Sequence, residues 1–169
     1  MTNLAQSPHI PAEGTKPGWS DLPWLAAYAL RGLAELVRAR IVFARLEARA
    51  IPQRNRDSKA MARPGTVPQP EALARIAYVI PRLSDRLPWR SDCLVQAIAA
   101  QNWLSALGAA SEIQIGVENP QDGQFGAHAW LIYNEDIVTG GDIERYDLLL
   151  SDSRLERDSV PKGEQSKPD

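Results

Sequence analysis

Apolar residues recur at helical spacing from Trp24 to Ala50. Leu30, Leu33, Val37, Ile41 and Ala44 form one stripe, widened by Leu36, Phe43 and Leu46. Arg31, Glu35, Arg38, Arg45 and Arg49 occupy the opposite side. Ser20 or Asp21 can cap this helix, and Pro23 suits its first turn. The spacing therefore predicts an amphipathic helix over 21–51 whose stripe faces a core or a docking partner. The apolar stretch Leu22–Leu30 is far shorter than the ~20 residues a membrane span needs. Residues 1–20, with three prolines and two glycines, read as a flexible tail. Four prolines in 52–70 break the periodicity and predict a linker. A second helix is expected from Glu71 to about Ile80, stopping at Pro81. Pro88 closes a short connection, and Ser91 or Asp92 caps a third helix through Leu107. Its buried face is Leu94, Ala97, Ile98, Leu104 and Leu107, and Gly108 is its C′ residue.

After Gly108 the period switches to two. Ile113, Ile115 and Val117 alternate with Glu112, Gln114 and Gly116, the signature of a half-buried strand. Residues 119–123 read as a turn, Ala127–Tyr133 as a second strand, Asn134–Asp136 as a tight turn, and a third strand starts at Ile137. The tail 155–169 is polar. Helices followed by an antiparallel sheet make the class α+β, with one folded core over 71–154.

Composition narrows the chemistry. Of 169 residues, 44% are apolar and 24% charged, which fits one globular domain. A net charge of −2 gives no reason to expect nucleic acid or an anionic membrane. The single cysteine excludes an internal disulfide. One cysteine and two histidines, His9 being in the tail, leave little material for a zinc site, and no cofactor is implied. Residues 1–20 lack a basic-then-apolar signal, so the expected location is cytoplasmic.

Two residues carry candidate chemistry. Cys93 falls in the first turn of the third helix, where free backbone N–H groups and the helix dipole favour a thiolate. His128 lies on the second strand, placed to meet the thiol as a general base once the chain reverses. Read blandly, the same pair is a small buried cysteine and a satisfied strand histidine. If Asn134–Asp136 is a three-residue loop, Tyr133 pairs with Ile137 and His128 falls opposite Asp142, with Cβ atoms ~5 Å apart. Asp142 is then the candidate third group, with Gly140-Gly141 the place where the ladder can end or bulge. Asp136 at the hairpin tip is some 26 Å away at ~3.3 Å per residue, too far to act. Trp130 and Trp103 read as core packing, Gln96 and Gln101 as solvated helix positions, and the Cys93 N–H as an oxyanion donor.

The run LPWRSDCLVQAIAAQNWLSALGAASEIQIGV, followed by FGAHAWLIYNEDIVTGG, resembles the leader peptidases of lasso-peptide biosynthesis, in the transglutaminase-like superfamily. The matching features are Pro-Trp before the cysteine, Cys-Leu opening an Ala/Leu helix, and Leu107-Gly108. Also matching are Ile115-Gly116-Val117, Ala127-His128-Ala129-Trp130 and the Gly140-Gly141 pair. The resemblance covers roughly residues 70–150. It implies a papain/transglutaminase-like fold with Cys93 as nucleophile and His128 as base. It implies cleavage of a ribosomally made precursor before its core peptide, with a leader-recognition protein as a separate chain and an ATP-dependent macrolactam cyclase as partners. The family's aspartate falls here at Gly140, so either Asp142 substitutes or the dyad acts without it. An acyltransferase using the same dyad and an inactive binding or scaffold homologue are the alternative readings.

Overall fold

Residue 18 and residues 21–45, 50–89, 92–118 and 126–150 are described by the computed structural model. Four helices precede four strands: α1 (Leu22–Phe43), α2 (Ile51–Met61), α3 (Pro70–Ser84), α4 (Cys93–Ala106), β1 (Glu112–Glu118), β2 (Ala127–Tyr133), β3 (Asp136–Thr139) and β4 (Tyr146–Leu150). The class is α+β, as the change of period predicts.

α4 organises the molecule. Val95, Ala97, Ile98, Ala99, Ala100, Trp103 and Leu104 are all buried, so the helix is apolar on nearly every side and must be surrounded. α1, α2 and α3 contact it, as do all of β1, β2 and β3. The end of α4 is a Schellman motif: Gly108 takes φ +83, its N–H bonds Ser105 O, and the Ala109 N–H bonds Leu104 O. That ending is the one expected at Gly108. Leu107, expected in the buried face, lies 39% exposed.

α1 begins at Asp21, whose carboxylate accepts bonds from the Trp24 indole N–H and the Gly18 N–H. Those two donors, the indole first, hold the carboxyl below its ordinary range. α1 buries the edge of its predicted stripe, Leu36 with Phe43 packed on the core, and not its centre. Gly32, Glu35, Leu36 and Ala39 face inward, while Leu30, Leu33, Val37, Ile41 and Ala44 are exposed. The small residues explain the choice: a Cβ at Gly32 would come within 3.0 Å of Leu83 and Val79, so α1 lies close against α3 only along that line. Glu35 can be buried because Arg31 reaches it at 2.9 Å and Arg38 at 3.6 Å. The helix ends at Phe43, and Leu46 and Arg49 lie outside the described residues.

The stretch expected as a linker is helical over 51–61. Pro52 sits in the first turn of α2, where its missing N–H costs nothing. Only Ile51 supplies a buried apolar side chain; the rest of its hold on the core is polar. Asn55 behaves like a ladder residue, donating from Nδ2 to Ile113 O (3.0 Å) and accepting from Ile113 N–H (2.9 Å) and Gln101 Nε2 (3.1 Å). Among the described residues β4 pairs with β1 from Ile115 onward, and Asn55 takes the backbone groups of Ile113 beyond that pairing. Ser58 Oγ accepts from the Ser111 N–H and meets Ser105 Oγ at 3.2 Å.

α3 runs on through Pro81 to Ser84, past its expected stop. Proline removes one donor, the one that would reach Ala77, and the burial of Ile80 and Ser84 outweighs that loss near the final turn. The antiparallel sheet has strand order β3-β2-β1-β4. The β2–β3 hairpin has a two-residue loop rather than three: Asn134 and Glu135 take φ 47 and 73, and Tyr133 pairs with Asp136. A bulge between Leu131 and Ile132 then resets the register, so that Leu131 pairs with Thr139. β4, which alternation in the sequence did not single out, pairs along the far side of β1. The predicted turn at 119–123 lies outside the described residues, apart from their flanks, as does the tail from 151.

Replacing Asn55 with Ala strands the buried N–H and C=O of Ile113 and one donor of Gln101. Urea denaturation is expected to show a loss of about 2–4 kcal/mol, two to three lost buried bonds. A loss below ~0.5 kcal/mol would mean that α2 is not anchored this way.

Candidate active site

Cys93 opens α4, with Asp92 extended at the cap position (φ −60, ψ 163). The sulfur reaches the sheet: Sγ accepts the Ala129 N–H at 3.4 Å. Ile113 turns its N–H and C=O away from β2 onto Asn55, so by the two-residue alternation Ala129, opposite Ile115, points its N–H to the β3 side, and β3 has already ended at Thr139. The sulfur takes the place that the next ladder residue would fill. A backbone N–H aimed at sulfur, together with first-turn N–H groups that have no helical carbonyl, suits negative charge there.

His128 adjoins Ala129 on β2. Its Nε2 lies 2.6 Å from Gly140 O. A carbonyl can only accept, so Nε2 carries the hydrogen and the neutral ring keeps its lone pair on Nδ1. That leaves Nδ1 as the proton acceptor. Gly140 has φ +115, and a Cβ there would lie 2.9 Å from Trp130 Cα, so neither backbone nor space admits a side chain. An aspartate at this position could not keep this backbone. The main-chain carbonyl stands where a carboxylate was expected.

The ring is held from its faces as well. Tyr146 of β4 stacks on His128 with centroids 4.8 Å apart and planes 26° apart, and Trp130 lies at 6.1 Å. β1 separates β4 from β2, and the rings meet across it because Gly116 has no side chain; a Cβ there would sit 2.7 Å from the Trp130 ring. Trp130 is buried and donates Nε1–H to Gln114 Oε1. Arg145 covers Tyr146 at 5.1 Å, and the Tyr146 hydroxyl, ahead of Glu118, holds the guanidinium above its ordinary range.

Cys93 and His128 line one cleft of roughly 360 Å³ between the end of α3, the start of α4 and β3, with Arg82, Asp85, Gln96 and Thr139 among its walls. Asp142 is not part of it. The two glycines at positive φ end the ladder before the register can bring Asp142 beside His128, and its exposed carboxylate caps the Glu144 N–H at 3.0 Å. The expected His128–Asp142 pairing is therefore replaced by His128–Gly140. Gln96 does face the cleft, its Nε2 bonded to Ser84 Oγ. Gln101, expected in solvent, is buried and bonds Asn55 and the Ser111 carbonyl. Trp103 packs in the core against Tyr28. His9 lies outside the described residues.

A thiol at a helix start, an imidazole on the facing strand and an acceptor fixing the imidazole's tautomer make a constellation suited to acyl transfer through a thioester. The family model of the transglutaminase-like superfamily matches residues 33–151. The chain belongs to that superfamily. No curated protein and no solved structure gives a significant match. Transglutaminase-like membership points to cysteine-based acyl chemistry, hydrolytic or transferring. The matched span starts within α1 and takes in every later element, including the Tyr146 strand, which sequence reasoning missed. Tyr146 carries no local motif; only the sheet order brings it over His128. Among the described residues no helix is long and apolar enough to cross a membrane.

Cys93 is the chain's one thiol, so alkylation reads it uniquely. His128→Ala is expected to slow iodoacetamide labelling at pH 7 by about tenfold or more, since the base partner is lost. Asp142→Asn is expected to leave the rate within about twofold, as its carboxylate bonds the Glu144 N–H and acts on Arg145 rather than on His128. A large loss in Asp142→Asn would return Asp142 to the site.

Proposed function

We infer that this chain is a cysteine peptidase that removes the leader from a ribosomally synthesised lasso-peptide precursor. The reading rests on one observation above others: His128 is fixed by the Gly140 carbonyl in a cleft that also holds the Cys93 sulfur. The Pro-Trp…Cys-Leu and Ala-His-Ala-Trp segments supply the finer resemblance to the leader peptidases.

The chemistry follows from the parts. His128 Nδ1 takes the Cys93 proton as sulfur attacks the scissile carbonyl carbon. The oxyanion is received by the N–H groups at the start of α4. Collapse expels the leaving amine, which takes the proton back from the imidazolium, and leaves a Cys93 thioester. Water, deprotonated by His128, then releases the leader carboxylate and restores the thiol. The Gly140 carbonyl keeps the imidazole in the productive tautomer through both steps and stabilises the imidazolium between them. A carbonyl carries a partial charge where a carboxylate carries a full one, so this stabilisation is weaker. The leader-recognition protein would present the precursor, and the macrolactam cyclase would use the freed amine.

Mass spectrometry of a candidate precursor, mixed with this protein and the recognition partner, is expected to show one cut and free leader acid. Cys93→Ala is expected to abolish the product, and His128→Ala to lower the rate by about 10³-fold or more. Leader–amine adducts in the presence of added amines, with no free acid, would instead assign an acyltransferase. An unchanged precursor in every mixture would overturn the reading.

A further inference from the structure

The apolar stripe of α1 faces solvent. Leu30 is 73% exposed, Leu33 37%, Val37 40% and Ile41 55%, and Leu22 extends the line at 49%. Their spacing of three and four residues sets them on successive turns of one face, the seam that helix-to-helix packing uses. A continuous exposed apolar face of this kind marks a binding surface. Within α1 the exposed charges flanking it are all arginines, of which Arg31 and Arg38 also pair with the buried Glu35. The Arg31 and Arg38 side chains are 45% and 70% exposed, Arg45 is exposed, and Arg40 flanks the other edge. The only acid within α1, Glu35, has a side chain just 2% exposed.

We propose that this face of α1 docks an acidic amphipathic helix of a second protein. A second copy of this chain fits poorly, because pairing two such faces sets arginine rim against arginine rim. A lipid surface fits poorly too: Trp24 and Tyr28, the aromatics that anchor interfacial helices, turn inward and pack on Tyr78 and Trp103. The edge of the face offers an anchor for a carboxylate. Arg38 and Arg54 both line a cleft of about 370 Å³ between α1, α2 and α4. Arg54 is held there by two neutral amides, Nε–H to Gln101 Oε1 and Nη2–H to Asn102 Oδ1; burial pulls its guanidinium below the ordinary value, and the nearby Asp57 carboxylate only partly opposes that. Asp57, the one acid of that cleft, accepts from Gln53. An incoming carboxylate would offset the cost of keeping the Arg54 charge there.

The probe is a synthetic labelled helix with Leu at the seam positions and Glu on both flanks, titrated with the full chain by fluorescence anisotropy. A charge-reversed peptide with Lys flanks is the control. The acidic peptide is expected to bind at least about tenfold more tightly than the basic one, and to weaken with added salt. The triple change Leu30→Ser, Val37→Ser, Ile41→Ser is expected to remove binding by about tenfold or more without lowering the melting temperature, and Arg38→Glu to weaken it. No binding of the acidic peptide, or equal binding of both peptides, would overturn the proposal. So would a dimer by light scattering that the triple change dissolves, cosedimentation with phosphatidylserine vesicles in preference to the peptide, or release of the face to the peptide only after deletion of residues 1–17. None of these readouts depends on peptidase activity.

Discussion

β3 stops at Thr139, and the geometry of the site depends on that stop. Gly140 and Gly141 both take positive φ, which a sheet residue cannot sustain, so the ladder to β2 ends there. Two consequences follow at once. The Ala129 N–H loses its strand partner and meets the Cys93 sulfur, and the Gly140 carbonyl turns onto His128 Nε2. A third strand continued by two residues would cover the place the sulfur occupies. The same glycine that ends the strand supplies the group that orients the imidazole.

That arrangement changes what a missing carboxylate means. The absence of an aspartate at position 140 raised the possibility of an incomplete site. In the folded chain a side chain at that position would strike Trp130, and the carbonyl already occupies hydrogen-bonding distance from the imidazole. Stacking by Tyr146, reached across Gly116, restrains the ring further. Backbone and ring stacking together do the orienting that a carboxylate does elsewhere, with less charge and more steric definition.

What could be read from the sequence divides along physical lines. α4 was legible because its cap position, apolar run and Gly108 ending are all local signals. β1 was legible from alternation, and β2 was read as the strand following the turn after it. α2 was not, because Asn55, Ser58 and Gln101 hold it through hydrogen bonds, which leave no apolar period. α1 was read as a helix, with the buried Leu36 inside its stripe, but the centre of that stripe faces out, since the close approach at Gly32 sets which edge is buried. Cys93 and His128 stand out by residue type. The third group did not, because a carbonyl has no residue type; the paired glycines were the one trace of it. The His128–Asp142 pairing was drawn through a ladder that Gly140 and Gly141 do not continue.

The central claim, that the Gly140 carbonyl fixes His128 with its hydrogen on Nε2, is tested most directly by nitrogen-15 NMR of the histidine rings, with His128→Gln to assign the signal against His9. The account predicts a His128 ring with its hydrogen on Nε2, giving a downfield proton protected from solvent exchange. A ring protonated on Nδ1, or an Nε2 proton that exchanges as freely as that of an exposed histidine, would contradict it.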